Sequence, residues 1–265
     1  SESAPIYYLR SLEDSLAIRA RLIPGAQIVL IGGGFIGLEV AAAARRLGAS
    51  VIVLEAQPHL LARVAAPEFG GAVAALHRRN GVEIRTGVMI EGFAPDGTIR
   101  LKSGDALRAD TIVAGVGVLP NLELAAAAGL VIDNGILVDE FARSSDPCIF
   151  AAGDVASFDH PLLGRRVRLE SWQNAQNQAI AAARAIAGDP APYREIPWFW
   201  SDQYDAKLQM AGLPARWDRV ILRGDPASFD FSAFYLDRGR LVAVNSMNRL
   251  RDMAPARQMT SSQPR

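Results

Sequence analysis

The pattern with the clearest chemical meaning in this sequence is a set of glycines spaced as Gly-x-Gly-x-x-Gly. An apolar, β-branched run at Gln27–Ile31 precedes them and an Ala-rich stretch at 35–47 follows them, which predicts a strand, a tight turn and a helix. Such a turn brings the backbone close to a pyrophosphate, and the free N–H groups and positive dipole end of the helix attract its charge. The predicted dinucleotide-binding residues are therefore Gly32, Gly34, Phe35, Ile36 and Gly37.

A carboxylate follows at the spacing that suits a ribose-binding residue. Glu55 closes the next predicted strand, Val51–Leu54, and lies 23 residues after Gly32. Because a carboxylate accepts hydrogen bonds from ribose hydroxyls and repels a 2′-phosphate, we expect NAD to be preferred over NADP. His59 and Arg63 lie just downstream and work against this discrimination. A solvated strand end is the alternative interpretation of Glu55.

Few other side chains offer acid–base or nucleophilic chemistry. The three histidines are predicted to lie at the surface, with His59 in a loop, His77 on a helix surface and His160 before a proline. Cys148 is predicted to be a small buried hydrophobe at the start of a strand. No metal-ligand set or G-x-S-x-G elbow is present in the sequence. Hydride chemistry without such groups favours a second cofactor, and flavin is the leading hypothesis.

Composition narrows the class of protein. The 265 residues suggest about two domains, and the 50% apolar and 21% charged fractions are those of a globular chain. Lys plus Arg and Asp plus Glu are equal at 28 each, which argues against a nucleic-acid binder. No apolar run is long enough to span a membrane, and no secretory signal opens the chain. The single cysteine excludes an internal disulfide and fits a reducing, cytoplasmic setting.

Hydrophobic periodicity predicts a parallel α/β domain that ends near Leu119. A helix over Glu68–Arg79 and a strand over Val82–Arg85 continue the first β-α-β unit. The turn dipeptides Asp96-Gly97 and Ser103-Gly104 then predict an antiparallel insert, before a last buried strand at 110–116.

Beyond that domain the elements are shorter and separated by turn residues. A stiff linker is predicted around Pro190, Pro192 and Pro197. The predicted elements are a helix at 122–128, a hairpin turn at 133–135, a strand at Cys148–Ala152, a helix at 172–187 and strands around 207–211, 220–223 and 233–244.

Five ordered motifs cover nearly the whole chain. They are Gly-Gly-Gly-Phe-Ile-Gly-Leu-Glu at 32–39, Gly-Val-Gly-Val-Leu-Pro-Asn at 115–121, Ala-Ala-Gly-Asp-Val-Ala at 151–156, Glu-Ser-Trp-Gln-Asn-Ala-Gln-Asn-Gln at 170–178 and Pro-Trp-Phe-Trp-Ser-Asp-Gln at 197–203. Together they resemble the FAD-dependent, NADH-linked ferredoxin reductases, which include the reductase components of aromatic-ring dioxygenases. The resemblance implies FAD and NAD as cofactors.

The resemblance also assigns roles to single residues. It implies that the first glycine motif and Glu55 hold NAD, and that Glu39 lies near the nicotinamide. It implies that Asp154 hydrogen-bonds the flavin ribityl chain and that Glu170 faces the isoalloxazine and nicotinamide. Glu39 and Glu170 are the implied catalytic residues, and the further implied cofactor-binding residues are Arg63, Val116, Gly117, Gly153, Trp172, Gln173 and Trp200.

The resemblance implies an α/β fold in three parts. These are a Rossmann-like NAD-binding domain with an antiparallel insert at 1–119, a C-terminal segment of a second, FAD-binding Rossmann-like domain at 120–195, and a small α+β reductase domain at 196–265. Family members begin with their own FAD-binding glycine motif, and this chain has only one motif, so we expect the FAD half to be missing. The strand at Cys148–Ala152 and the helix from Trp172 are then expected to lack sheet partners.

The implied function is electron transfer from NADH through FAD to a two-iron two-sulfur ferredoxin that serves an oxygenase or cytochrome P450. The sequence leaves the oligomeric state open. An NADH oxidase, a disulfide reductase and an apoptosis-inducing-factor-like NAD(H)-binding module remain alternatives. A basic docking face for an acidic ferredoxin is predicted from Arg165, Arg166, Arg168, Arg249, Arg251 and Arg257.

Overall fold

The computed structural model describes residues 6–262, with side chains through residue 258. The chain forms two compact units. The first contains the residues up to Gly117 with Ser201–Leu208 and Leu222–Ala233, and the second contains Val118–Trp200, Gln209–Ile221 and the residues from Phe234 onward. Within the described residues, no helix combines the length and apolarity that a membrane span requires.

Helices and strands alternate in the first part of the chain, and strands dominate the last part. The helices are α1 Leu12–Arg21, α2 Phe35–Arg46, α3 Pro67–Arg79, α4 Glu123–Ala127, α5 Trp172–Ile186 and α6 Met253–Ser262. The strands are β1 Ile6–Tyr8, β2 Gln27–Ile31, β3 Ser50–Glu55, β4 Val82–Thr86, β5 Ile90–Phe93, β6 Thr98–Leu101, β7 Ala106–Arg108, β8 Thr111–Ala114, β9 Ile136–Val138, β10 Ala156–His160, β11 Arg165–Arg168, β12 Trp198–Gln203, β13 Ala206–Gly212, β14 Arg219–Asp225, β15 Asp230–Asp237 and β16 Arg240–Met247.

A five-stranded parallel sheet forms the centre of the first unit. Its strand order is β1-β8-β2-β3-β4, and every neighbouring pair is parallel. The strands β2 and β3 read as continuous apolar runs because both faces of a parallel sheet are covered. Leu30 and Val53 are accordingly fully buried. The sheet, with α2 between β2 and β3, confirms the predicted Rossmann-like arrangement.

The antiparallel insert follows β4 as predicted. Strands β5, β6 and β7 form a meander, and Gly97 and Gly104 take the positive φ values that its two turns require. Ile99 and Leu101 pack in one apolar cluster with Val29 of β2. The insert therefore covers part of the parallel sheet.

The second unit contains a three-stranded sheet, β11-β10-β9, with its own small core. Phe158 is buried in that core and its ring meets Tyr193 edge-on, with 5.6 Å between centroids. Tyr193 lies in the proline-rich linker and donates a hydrogen bond to Asn174 of α5 at 3.0 Å. The predicted linker is thus anchored to the core of this unit by an aromatic side chain.

The C-terminal strands form a five-stranded sheet in the order β12-β13-β16-β15-β14. Within the second unit, α6 packs on β16 through Val244, Met253 and Ala256. Gly212 ends β13 at a φ of +81°, and a Cβ at this position would overlap the carbonyl oxygen of Val242. The α/β fold with a C-terminal antiparallel sheet agrees with the expectation, whereas the domain limits at 119 and 195 stay predictions.

Two predicted strand features are wrong. The segment Cys148–Ala152 forms no strand, since Phe150 makes only an isolated bridge to Arg143. Cys148 is exposed rather than buried, because its N–H donates to the Asp146 carboxylate in a turn. The turn at 133–135 supports only one antiparallel bridge, and β9 instead pairs in parallel with β10.

The surface assignment of two histidines is also wrong. His77 and His160 are almost completely buried. The ring of His160 is satisfied on both sides, since Nδ1 accepts from the N–H groups of Leu162 and Leu163 and Nε2 lies 2.9 Å from the carbonyl oxygen of Glu195. Burial lowers the pKa of both histidines, which favours their neutral forms.

Replacement of a leucine in the parallel sheet tests this account of the core. Leu30→Ala removes a fully buried side chain from β2 and should lower the free energy of unfolding by about 2–5 kcal/mol. Leu12→Ala, on the exposed side of α1, is the matched control and should change it by less than about 0.5 kcal/mol. Urea denaturation measures both, and equal losses would contradict the assigned core.

Candidate functional site

The glycine turn between β2 and α2 is built by close backbone contacts. Gly32 takes a φ of +101°, and a Cβ there would overlap the carbonyl oxygen of Gly115. A Cβ on Gly37 would in turn overlap the carbonyl oxygen of Gly32. Gly34 is different, since it is the N-cap of α2 and nothing lies within 4 Å of the place where its Cβ would be. Two glycines therefore shape the turn, and the third leaves open space at the helix N-terminus.

The carboxylate of Glu55 holds this turn in place. Its Oε2 accepts a hydrogen bond from the Gly33 N–H at 2.6 Å, and its Oε1 accepts one from the Gln57 N–H at 2.7 Å. Glu55 is therefore a half-buried residue at the end of β3 that accepts two backbone hydrogen bonds. Each carboxylate oxygen can accept a further hydrogen bond, so the side chain is also available to a ligand.

A cavity of about 440 Å³ opens beside the turn. Its lining includes Glu55, the segment 61–64, Gly115 and Val116. Leu61, with a φ of 56°, donates its N–H to the carbonyl oxygen of Gly33 and so closes the loop after β3 onto the turn. Of the residues predicted from the sequence, this cavity brings together Gly32, Gly34, Phe35, Glu55, Arg63 and Val116.

Some predicted residues lie outside this lining, and others were missed. Ile36 and Gly37 follow in α2, where Gly37 packs on the turn, and Gly117 does not contribute. Besides Ala56 and Gln57 next to Glu55, the lining residues that the sequence did not indicate include Leu61, Ala62, Val64, Val88, Met89 and Ile90. They are apolar or small side chains of ordinary type, and no sequence signal separates them from core residues.

Glu39 lies one turn into α2 and lines a second cavity of about 470 Å³ beside α1. Its Oε1 accepts a hydrogen bond from the Ser201 hydroxyl at 2.6 Å. Burial raises the pKa of Glu39, the Ser201 hydrogen bond opposes this, and the negative charge of Asp202 adds to the rise. The sequence did not indicate where the Glu39 side chain lies. In the structure it contacts β12, which follows more than 160 residues later in the chain.

In the second unit, Asp154 lies on a short 3₁₀ turn, Gly153–Val155. Gly153 takes a φ of +78° and donates its N–H to Gln178 of α5. No described protein group donates a hydrogen bond to the Asp154 carboxylate, which is half-buried. An acceptor-only group in this state suits a ligand that brings hydroxyl donors.

Arg168 connects Asp154 to Glu170. Its Nη1 donates to the carbonyl oxygen of Asp154 at 3.1 Å and forms an ion pair with the Glu170 carboxylate at 2.6 Å. The Nε of Arg168 is buried and has no hydrogen-bond partner among the described residues. Glu170 is thus an exposed carboxylate that is held by a largely buried guanidinium group.

Aromatic side chains lie together at the start of α5 and of β12. Trp172 is 67% exposed and meets Trp200 edge-on at 6.1 Å, while Trp198 and Trp200 are 5.1 Å apart. Gln173 is half-buried beside them in sequence. Exposed indole faces can stack on a planar ring system. These rings and the unpaired Asp154 carboxylate fit the flavin that the resemblance implies.

The different environments of the glycines give a direct test of the dinucleotide cavity. Gly37→Ala should abolish NADH binding and lower stability, because its Cβ overlaps a backbone oxygen. Gly34→Ala should keep stability but weaken NADH binding at least tenfold, since its Cβ projects into open space at the helix N-terminus. Calorimetric titration and thermal unfolding measure the two effects.

A third glycine substitution is the control for this test. Gly71 lies in α3, where a Cβ would also meet nothing within 4 Å, and it is not part of the cavity lining. Gly71→Ala should leave NADH affinity unchanged. Equal affinity in the Gly34→Ala and Gly71→Ala variants would contradict the assignment of the cavity.

Comparison with known proteins identifies the family of the chain. The chain matches the pyridine nucleotide-disulphide oxidoreductase family over residues 2–179 and the reductase C-terminal family over residues 198–265. It is 48% identical to the anthranilate 1,2-dioxygenase system ferredoxin–NAD(+) reductase component of Burkholderia cepacia, over 97% of this chain and 64% of that protein. It is 45% identical to the putidaredoxin reductase of Pseudomonas putida, over 91% of this chain and 59% of that protein.

A solved structure gives the same result. The covalent putidaredoxin reductase–putidaredoxin complex matches with a TM-score of 0.92 and 44% identity, over 97% of this chain and 63% of that chain. The chain thus spans about three fifths of the length of the relatives it matches. These matches confirm the resemblance drawn from the five motifs. The chain belongs to the pyridine nucleotide-disulphide oxidoreductase family and carries the reductase C-terminal region.

Proposed function

We propose that this chain is part of a flavoprotein that oxidises NADH and passes the electrons through FAD to a two-iron two-sulfur ferredoxin. The observation that carries the proposal is the cavity formed by the open glycine turn and the anchored carboxylate of Glu55. Two relatives named as ferredoxin or putidaredoxin reductases support the choice of partner. The ferredoxin would serve an oxygenase or a cytochrome P450.

The cavity residues would bind NADH from its adenosine end. Gly34 and the N-terminus of α2 leave room for the pyrophosphate, and the helix dipole stabilises its charge. Glu55 would accept hydrogen bonds from the ribose hydroxyls while it stays bound to Gly33. Arg63 and Val116 would contact the dinucleotide from the facing loops. Ile36, Gly37 and Gly117 would act by keeping the turn and its neighbouring loop in shape.

The residues of the second unit would hold the flavin. Asp154 would accept hydrogen bonds from the ribityl hydroxyls, and Gly153 fixes the turn that presents it. Trp172, Gln173 and Trp200 would lie beside the isoalloxazine. When bound, FAD supplies the conversion of a two-electron hydride donor into single electrons. The protein contributes position, charge and exclusion of water.

The two glutamates would act differently from each other. Glu39, bound by Ser201, would lie near the nicotinamide and orient it by a carboxylate of fixed direction. Glu170 is paired with Arg168, so its negative charge is partly neutralised before any ligand binds. We therefore propose that the ion pair of Glu170 and Arg168 helps to hold the flavin in the second unit.

Three of the six arginines of the predicted basic docking face form ion pairs with carboxylates in the structure. Arg166 is bound by Asp133 and Asp159, Arg168 by Glu170, and Arg249 by Asp252. These pairs cancel half of the expected cationic set. Of the remaining three, Arg165 and Arg251 are exposed, and Arg257 lies over the ring of Trp198. We propose that this second group provides the charge that steers an acidic ferredoxin.

We also propose that the protein works in the cytoplasm. Its one cysteine is exposed and has no second cysteine in the chain to pair with, which suits a reducing compartment. The same fact gives no support, within this chain, to a disulfide reductase or to an oxidase that uses a redox cysteine pair.

The full-length flavoprotein provides the test of the function. NADH should bleach its flavin absorbance within one turnover, and a two-iron two-sulfur ferredoxin should then be reduced repeatedly. Flavin reduction without ferredoxin reduction would instead indicate an oxidase or an NAD(H)-binding module. No flavin reduction at all would contradict the proposal.

Substitution of Asp154 tests the flavin-binding role. Asp154→Ala removes an acceptor that no described protein group uses, so folding should persist while the flavin content of the purified protein falls severalfold. Asp159→Ala, at an exposed carboxylate of β10 paired with Arg166, is the control and should keep its flavin. The flavin-to-protein absorbance ratio measures both, and an unchanged ratio in Asp154→Ala would overturn the role.

Substitution of Glu55 tests nucleotide selection. Glu55→Gln removes the negative charge that repels a 2′-phosphate, so the NADH-to-NADPH ratio of kcat/KM should fall roughly tenfold. Glu68→Gln, in the exposed first turn of α3, should not change the ratio. If the NADH-to-NADPH ratio of kcat/KM is the same in both variants, Glu55 does not distinguish the two nucleotides at their ribose.

A further inference from the structure

A continuous line of hydrogen bonds runs through the first unit from Tyr204 to Glu39. The Tyr204 hydroxyl lies 3.2 Å from His77 Nδ1, and His77 Nε2 lies 2.8 Å from Gln203 Oε1. The Gln203 amide donates to the Ser201 hydroxyl oxygen at 3.0 Å, and that hydroxyl donates to Glu39 Oε1 at 2.6 Å. We call these five side chains the relay.

The donors and acceptors of the relay fix its direction from His77 to Glu39. Because a carboxylate only accepts, Ser201 must donate to Glu39 and must accept from the Gln203 amide nitrogen. The amide oxygen of Gln203 then faces His77, which must donate from Nε2. Burial lowers the pKa of His77 and so favours the neutral ring, which with its proton on Nε2 accepts from the Tyr204 hydroxyl at Nδ1.

The middle of the relay is buried where an apolar core would be simpler, while Tyr204 is half-buried and Glu39 lies at an exposed position of α2. His77 and Gln203 are fully buried, and Ser201 is 2% exposed. His77 belongs to α3, Glu39 to α2, and the other three members to β12 and the turn that follows it. A fully satisfied buried network fixes its members in one arrangement. The relay thus fixes one carboxylate oxygen of Glu39 relative to a strand that is distant in sequence.

We propose that His77 and Gln203 are positioning residues that set the direction and the proton affinity of the Glu39 carboxylate through the Ser201 hydroxyl. The consequence for NADH oxidation rests on the proposed function, since it needs Glu39 near the nicotinamide. The effect on the carboxylate itself does not depend on that function.

Charged groups also lie around the relay. Asp202 on β12 is the negative neighbour, and burial and Asp202 both raise the pKa of Glu39. Arg46 of α2 and Arg19 of α1 share the second cavity with Glu39, and Arg46 also donates to the carbonyl oxygen of Tyr204. Among the described residues, Ser201 is the side chain that donates a hydrogen bond to Glu39, so removal of this bond is separable from these charges.

The sign of the pH dependence follows from His77. Burial lowers its pKa, and the hydrogen bond to Gln203 opposes that change. The folded state therefore binds a proton less readily than the unfolded chain does, and stability is lost as the pH falls through the folded pKa. Above the unfolded pKa of about 6.5 the neutral ring keeps the relay intact.

Titration of Glu39 in the full-length holoprotein tests the proposal. The carboxyl carbon is followed by NMR after labelling with δ-¹³C glutamate, and Glu39→Gln identifies the signal. Ser201→Ala and Gln203→Met should each raise the Glu39 pKa by about half a unit to one unit, because the carboxylate loses its donor or its donor's orientation. His77→Leu should shift it in the same direction by less.

Two further variants separate positioning from loss of packing. His77→Gln can still donate from its Nε2 to Gln203 and should restore the original titration. His160→Leu removes an equally buried histidine that is outside the relay and should leave the Glu39 titration unchanged. Ser201→Ala, the smallest change, decides the matter if the larger substitutions unfold the protein. An unshifted Glu39 pKa in Ser201→Ala and Gln203→Met would overturn the proposal.

A second readout keeps this proposal distinct from the proposed function. The pH midpoint of flavin reduction by NADH should move with the Glu39 pKa in the same variants. If the carboxyl pKa moves but NADH does not reduce the flavin, the relay stands and the proposed function fails. If NADH reduces the flavin and the carboxyl pKa does not move, the relay fails and the proposed function stands.

Discussion

The hydrogen bond from the Gly33 N–H to the Glu55 carboxylate is the interaction on which the site depends most. It joins the turn after β2 to the end of β3, and so it couples the two strands at the edge where α2 begins. The turn can make this contact only because Gly32 and Gly37 lack side chains that would overlap neighbouring backbone atoms. One carboxylate therefore holds the turn in place and also lines the cavity.

Much of the first unit could be predicted from the sequence because its signals are local. The β-branched run before Gly32, the Ala-rich helix after it and the turn dipeptides of the insert each depend on nearby residues. The buried state of His77 could not be predicted in this way. It lies next to Leu76 on α3, and only the later strand β12 and its turn bring Gln203 and Tyr204 to its ring. A histidine whose partners are more than 120 residues away gives no local pattern.

In the second unit, a local sequence signal predicted a strand that the structure does not contain. The run Ile149–Ala151 is apolar enough to indicate a strand, yet Asp146 caps a turn there and Phe150 makes a single bridge. The roles of Asp154, Trp172 and Trp200 came from the family resemblance rather than from spacing. Their geometry is informative on its own, since the Asp154 carboxylate has no described protein donor and the indole rings are grouped and partly exposed. Groups that the protein leaves without partners are the ones that a ligand can use.

We propose that the glycine turn and Glu55 form the binding site of the nicotinamide dinucleotide. A crystal structure of the full-length flavoprotein with NAD⁺ tests it most directly. We expect the pyrophosphate at Gly34 and the N-terminus of α2, with the adenosine ribose within hydrogen-bond distance of Glu55. A dinucleotide bound elsewhere, with Glu55 bonded only to Gly33 and Gln57, would contradict it.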